Sequence, residues 1–225
     1  MPERCLLYYI TDRTALAADE PTRRRRLLEK IAEAARAGVD YIQLREKDLT
    51  ARELESLARD AVHAVNEVRT HTTALLVNSR TDIALAVGGE GVHLRSDDLS
   101  PQNVRDIWKK CGAGAPTREN PTRNPVIGVS CHQPEEVFQT KLNGATFAVF
   151  AAIFEKKDLP NMQPAGLAQL REAAKAGIPV LALGGVTIEN AHSCLEAGAA
   201  GIAAIRLFQE NDIAKIVEQL RPLPQ

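Results

Sequence analysis

Gln43-Leu44-Arg45-Glu46-Lys47 places one neutral amide and two cations within five residues. If this segment is a strand exit, Gln43, Arg45 and Lys47 lie on one side, because strand side chains alternate between faces. A guanidinium and an ammonium converging there suit a diphosphate: arginine gives paired hydrogen bonds and lysine a mobile point charge. The competing reading is a solvated charged turn. Asp97-Asp98 offers carboxylates and Asn78 a carbonyl oxygen, ligands that Mg2+ accepts together with phosphate oxygens and water. Taken alone, two acids before a helix are more often partners of its dipole. Gly184-Gly185 ends an apolar run, and lacking Cβ atoms it either lets backbone N–H groups approach an anion or makes a tight turn. Ser130-Cys131-His132 suggests a nucleophile and a base, but strand neighbours face opposite ways and no orienting acid is identifiable. Ser130 and His132 therefore read as inward-facing hydrogen-bonding groups. Arg13, Lys156, Lys157 and Arg206 complete the charged candidates. His93 reads as packed in mid-strand, and His63, His71 and His192 as helix or surface residues.

These groups act together only if the chain gathers them. Apolar runs predict strands at 6–10, 41–45, 74–77, 91–94, 126–129, 147–151, 180–183 and 202–205. Between them lie helical patterns: 22–37 with Leu27, Leu28, Ile31 and Ala35 on one face and Gly38 past the end, then a helix opened by the capping box Thr50-Ala51-Arg52-Glu53. Pro101 sits at a first helical position, where proline costs least. Thr187 can cap the helix that Gly198 closes. A weak repeat, a stop glycine followed by two or three linking residues and a strand, recurs at Gly38, Gly88, Gly144 and Gly198. Strands alternating with helices at this spacing predict an α/β fold, a single (β/α)8 TIM barrel spanning 1–225. The absence of G-x-G-x-x-G after the first strand weighs against a dinucleotide-binding sheet. In such a barrel the candidates above are strand ends, and the ends of the last two strands commonly hold a phosphate. The Gly-, Pro-, Thr- and Asn-rich segment 112–124 joins a helix to a strand and reads as a surface insertion without chemistry. The charged connection 153–164 lies on the opposite, catalytic face and is long enough for a lid.

The chain has 225 residues, 44% of them hydrophobic, enough for one substantial core. Its net charge of -1 argues against a nucleic-acid surface. No apolar run approaches the roughly 20 residues that cross a bilayer, and the N-terminus shows no apolar signal region, so a cytoplasmic location is expected. The four cysteines, Cys5, Cys111, Cys131 and Cys194, lack C-x-x-C spacing and suggest neither zinc nor a disulfide framework.

Tyr41-Ile42-Gln43-Leu44-Arg45-Glu46-Lys47, Val77-Asn78-Ser79-Arg80-Thr81-Asp82, Gly91-Val92-His93-Leu94 with Asp98, Gly128-Val129-Ser130 with His132, and Leu183-Gly184-Gly185-Val186-Thr187 together resemble the thiamin phosphate synthase and TenI family. The likeness covers nearly the whole chain. It implies a TIM barrel that joins an aminopyrimidine, delivered as its diphosphate, to thiazole phosphate. It further implies that Gln43 and Asn78 meet the pyrimidine, Arg45, Lys47 and Ser130 the diphosphate, Asp98 with Asn78 an Mg2+, and Gly185 with the backbone at Ile205 and Arg206 the thiazole phosphate. The partners implied are small phosphorylated heterocycles, with neither nucleic acid nor membrane, and a homo-oligomer is left open. Three positions depart from the family pattern: Asn78-Ser79 stands for Asn-Asp, Phe154-Glu155-Lys156-Lys157-Asp158 for Pro-Thr-x-Thr-Lys, and Arg206 for a serine. The resemblance thus implies a synthase-type transferase first. A TenI-type isomerase with His132 as acid-base group is the alternative, and a non-catalytic binder of a phosphorylated ligand is a third reading.

Overall fold

Short aliphatic runs bounded by glycine, and amphipathic runs between them, fold as eight parallel strands with helices packed outside. The computed structural model describes residues 4–68, 73–112, 124–155 and 163–221. In chain order the elements are β1 (Leu6–Ile10), a single 3-10 turn (Arg13–Ala15), α1 (Glu20–Ala37), β2 (Tyr41–Leu44), α2 (Ala51–Val68), β3 (Ala74–Asn78), α3 (Thr81–Val87), β4 (Gly91–Leu94) and α4 (Pro101–Gly112). They continue as β5 (Val126–Cys131), α5 (Pro134–Leu142), β6 (Phe147–Ala151), α6 (Gly166–Ala174), β7 (Val180–Leu183), α7 (Ile188–Glu196), β8 (Gly201–Ala204), α8 (Arg206–Gln209) and α9 (Ile213–Leu220). The strands close into a barrel in sequence order, with Tyr8 beside Tyr41 on one side and beside Ala203 on the other.

Alternation along each strand divides the apolar residues between two cores. Tyr8, Ile10, Leu76, Phe147, Val149 and Leu181 fill the barrel. Leu7, Tyr9, Ile42, Val77, Val129 and Ile202 point outward against helix residues such as Leu27 and Ile31. Inside, Tyr41 stacks on Phe147 with centroids 4.6 Å apart, and Tyr8 meets Phe147 edge-on at 5.3 Å. Such pairs add about 0.5–1.5 kcal/mol each beyond their area, so the barrel is plugged below the mouth. At the opposite end Asp40 accepts the Leu7 N–H (2.7 Å), Arg4 (2.7 Å) and Arg221, tying the residue after α9 to β1.

Most predicted elements form. Gly38 and Gly88 end α1 and α3 with φ of 83° and 70°, and the Thr50 box opens α2, where Glu53 accepts the Thr50 N–H at 2.9 Å. Several boundaries differ: β2 ends at Leu44, β3 reaches Asn78 and β8 runs Gly201–Ala204. Helix α1 starts at Glu20 because Asp19 Oδ1 caps the Thr22 N–H, and β5 continues to Cys131, paired with Phe150. Helices α8 and α9 were not anticipated, and α9 buries Ile213, Ile216 and Leu220. The insertion and lid segments fall largely outside the described residues. Among the described residues no helix is long and apolar enough to cross a membrane.

Candidate active site

The carboxyl ends of β2, β3 and β4 carry a continuous polar network. Gln43, 2% exposed, donates from Nε2 to Asn78 Oδ1 at 2.8 Å, and Asn78 Nδ2 donates to Ser79 Oγ at 3.2 Å. The Ser79 hydroxyl then donates to Asp98 Oδ2 at 2.6 Å, and the same oxygen accepts the Arg95 N–H at 2.7 Å. Ser79 holds φ 56°, a left-handed conformation uncommon for a residue with a Cβ, and its N–H donates to the His93 carbonyl at 2.9 Å. Asp98 is thus turned toward β3. The cap of α4 is Ser100, whose Oγ accepts the Asn103 N–H at 3.2 Å. Asp97 is exposed and forks onto the Arg95 guanidinium, with Nε to Oδ1 at 2.9 Å.

Arg45 and Lys47 belong to this half. Neither has a carboxylate partner among the described residues. The Lys47 ammonium is held below the usual lysine range, first by the Arg45 guanidinium, then by partial burial, and then by Arg95. An ammonium depressed by a neighbouring guanidinium, with no carboxylate on either among the described residues, marks a positive potential suited to an anion. The adjoining acid and cation are used structurally. Glu46, almost wholly buried, accepts from Thr11 Oγ1 (2.5 Å) and from the Arg13 backbone (3.1 Å) and Nη1 (3.3 Å). Arg13 also forks onto Asp48 at 2.7 and 3.0 Å and reaches Glu20 at 2.8 Å. Arg13 is therefore a buried brace for the 45–48 turn and takes no place at the mouth as a strand-end cation. Thr11 Oγ1 also accepts the Arg45 N–H at 3.0 Å, fixing the backbone from which that guanidinium projects.

On β5, Ser130 faces inward as expected. Its Oγ lies 2.8 Å from His93 Nε2, while Cys131 faces the helices with its sulfur 3.4 Å from Thr140 Oγ1. Burial raises the Cys131 thiol to about 11, which leaves it no role as a thiolate. His132 lies past the strand on the rim, exposed, with Nδ1 2.9 Å from the Ala151 carbonyl. It borders a cavity of about 470 Å3 shared with Gln133, Ala152, Gln163 and Gln169. Ser130 and His132 make no hydrogen bond to each other among those described.

The other half of the rim is built by β6, β7 and β8. The Ile153 and Phe154 N–H groups donate to the carbonyls of Leu183 and Gly184, each at 3.0 Å, so the chain leaving β6 is clamped over β7. Gly185, with φ 67°, faces this loop: a Cβ there would stand 2.6 Å from the Glu155 carbonyl oxygen and 2.7 Å from Phe154 Cβ. Close backbone approach is its demonstrated use, and Asn190 Nδ2 donates to its carbonyl at 2.9 Å. Ile205 packs on the inner core, and Arg206, exposed, begins α8. Lys156 and Lys157 lie outside the described residues.

Among the described residues no cluster of three or more His, Cys, Asp or Glu could hold a metal ion. At the mouth Asp98 is the one carboxylate in the network. Its Oδ2 is occupied, and Asn78 Oδ1 already accepts from Gln43. That donor set does not make a protein cage. It fits Mg2+ of the kind that takes one carboxylate and draws its remaining oxygens from phosphates and water.

Sequence reasoning missed Thr11, Glu46 and Arg95 as supports and gave His93 no tie to Ser130. Inward alternation on β4 was the available signal for His93; nothing local marks a threonine or a glutamate that braces from a neighbouring strand.

The sequence profile of the TMP-TENI thiamine monophosphate synthase family matches residues 7–208. A thiamine-phosphate synthase of Clostridium novyi is 35% identical over 211 residues, covering 92% of this chain and 91% of that protein. The thiamine-phosphate synthase of Roseiflexus castenholzii is 35% identical over 204 residues, 90% of this chain and 80% of that one. Among solved structures, a thiamine phosphate pyrophosphorylase from Pyrococcus furiosus superposes with a TM-score of 0.73 at 28% identity, covering 96% of this chain and 93% of the other. The polar network at the ends of β2 to β4 thus sits in a chain that belongs to the thiamine monophosphate synthase family.

Proposed function

We propose that the protein is a thiamin phosphate synthase, transferring an aminopyrimidine methyl group from its diphosphate to the ring nitrogen of thiazole phosphate in thiamin biosynthesis. The observation that carries this reading is the pairing of Arg45 and Lys47, without acid partners among the described residues, with the Gln43–Asn78–Ser79–Asp98 chain. In the reaction the C–O bond to diphosphate breaks and the bonding pair leaves with the diphosphate. The thiazole nitrogen lone pair then forms the new C–N bond to the pyrimidine methylene cation. No proton needs to be removed, so the principal demand is stabilising a multiply charged leaving group. Arg45 and Lys47 neutralise it from one side, Ser130 donates to it from β5, and Gln43 with Asn78 orients the pyrimidine. Asp98 and Asn78 would hold Mg2+, which when bound adds positive charge at the diphosphate. The Gly184-Gly185 turn with the backbone at Ile205 and Arg206 takes the thiazole phosphate, with Lys156 and Lys157 as further candidates.

One observation favours a second reading. His132 holds its ring by Nδ1 against the Ala151 carbonyl, an acceptor that requires a proton on Nδ1, so Nε2 is the nitrogen left to exchange a proton beside the cavity. That is what a TenI-type isomerase of the thiazole phosphate requires. Purified protein mixed with both substrates and Mg2+ separates the readings. Stoichiometric diphosphate release supports transfer. Absence of release with tautomer conversion that vanishes in His132→Asn replaces it with the isomerase, and binding of thiazole phosphate with neither activity leaves a non-catalytic binder.

A further inference from the structure

Beneath the network lies a second hydrogen-bonded chain. Tyr8, on β1, is fully buried, and its Oη lies 3.1 Å from His93 Nδ1 on β4; His93 Nε2 lies 2.8 Å from Ser130 Oγ on β5. Room for this chain comes from Gly128, where a Cβ would sit 2.9 Å from His93 Nδ1 and 2.5 Å from Phe147 Cζ.

The direction of the chain follows from counting protons. Among the described residues Tyr8 Oη has one partner, His93 Nδ1. If Nδ1 carried the imidazole proton, Tyr8 would have to accept it, and its own proton would be buried without an acceptor, at the full desolvation cost of an unsatisfied donor. With Tyr8 donating, Nδ1 is the acceptor and the imidazole proton resides on Nε2. Nε2–H then donates to Ser130 Oγ, occupying a lone pair and leaving the serine proton no inward acceptor. Burial, with Arg45 nearby, holds the His93 pKa at about 3, so a doubly protonated ring does not intervene at neutral pH.

We infer that Tyr8 and His93 are positioning residues that fix the Ser130 hydroxyl as an outward-pointing donor, addressed to a phosphate oxygen of the departing diphosphate. His93 has no free lone pair toward Ser130 and cannot accept its proton, so Ser130 acts as a neutral donor and never as a base-activated nucleophile. The identity of the acceptor rests on the transferase reading; the direction of the chain does not.

Two measurements test the inference. Nitrogen-15 correlation spectra of the unaltered protein at pH 7.5 should show His93 as the Nε2–H tautomer with Nδ1 bare; the Nδ1–H tautomer overturns the relay, with no variant needed. Calorimetric titration with inorganic diphosphate and Mg2+ should give about 10- to 100-fold weaker binding for Ser130→Ala, the loss of a hydrogen bond to a charged acceptor. His93→Leu should lose part of that affinity and His93→Gln, whose amide N–H can still donate to Ser130, should recover it, with urea denaturation confirming that both fold. Unchanged diphosphate affinity in Ser130→Ala overturns the outward donation. Failure of the unaltered protein to bind diphosphate overturns the transferase reading together with the assigned acceptor, whereas a wrong tautomer with intact diphosphate binding overturns the relay alone.

Discussion

Acidification should destabilise this protein through His93, a group that the folded chain keeps unprotonated. The imidazole is 3% exposed and enclosed by Tyr8, Ser130 and the inner aromatic residues, and burial, followed by the Arg45 guanidinium and opposed by Asp98, lowers its pKa from 6.5 to about 3. The unfolded chain therefore binds a proton below pH 6.5 that the folded chain refuses. By linkage the His93 contribution to stability is complete above pH 6.5 and is lost progressively as pH falls toward 3. Between pH 6.5 and 5 the loss is about 1.36 kcal/mol per pH unit, or about 2 kcal/mol in total. For a domain of this size that corresponds to about 4–8 °C in Tm. Other groups also titrate over this interval, so the assay is a difference: urea denaturation at pH 7 and pH 5 for the unaltered protein and for His93→Gln, which cannot take the proton. The unaltered protein should lose about 2 kcal/mol more than the variant on acidification. Equal losses would refute the argument, because they would mean that His93 is protonated in the folded state at pH 5 and that the Tyr8–His93–Ser130 chain is open to water.

Arg13→Leu should destabilise by about 3–5 kcal/mol, since it leaves Glu46 buried without its partner, and Glu46→Leu in the same background should restore most of that in denaturation curves. Gly185→Ala should cost about 2–4 kcal/mol, through the positive φ and the collision with the Glu155 carbonyl, and should weaken thiazole phosphate binding measured by calorimetry. Replacing residues 113–123 by a short Gly-Ser linker should leave kcat and KM within about twofold, because the described ends, Gly112 and Asn124, join a helix to a strand on the face away from the candidate site.

The barrel itself could be read from the chain because each of its rules is local. A strand needs an apolar run, a helix an amphipathic period and a cap, and a stop glycine needs only its own left-handed conformation, as at Gly38 and Gly88. The strand-end rule places Gln43, Asn78, Asp98 and Ser130 at one mouth, and family motifs attach a chemistry to them. Helices α8 and α9 escaped notice because a run of four residues and another of eight carry too few turns for a period to stand out. What the linear order could not settle is which of several like groups is free. Arg13 and Arg45 are both cations at strand exits, yet three carboxylates from two segments engage the first and, among the described residues, none engages the second. Asp97 and Asp98 are neighbours, yet one is tied to Arg95 and the other to Ser79. Hydrogen bonds and ion pairs reach only about 3 Å, so their partners are chosen by the closure of the barrel, which brings β1 against β2 and β4 against β5. The same closure sets a tyrosine, a histidine and a serine from three strands in line, although 85 residues separate the first two.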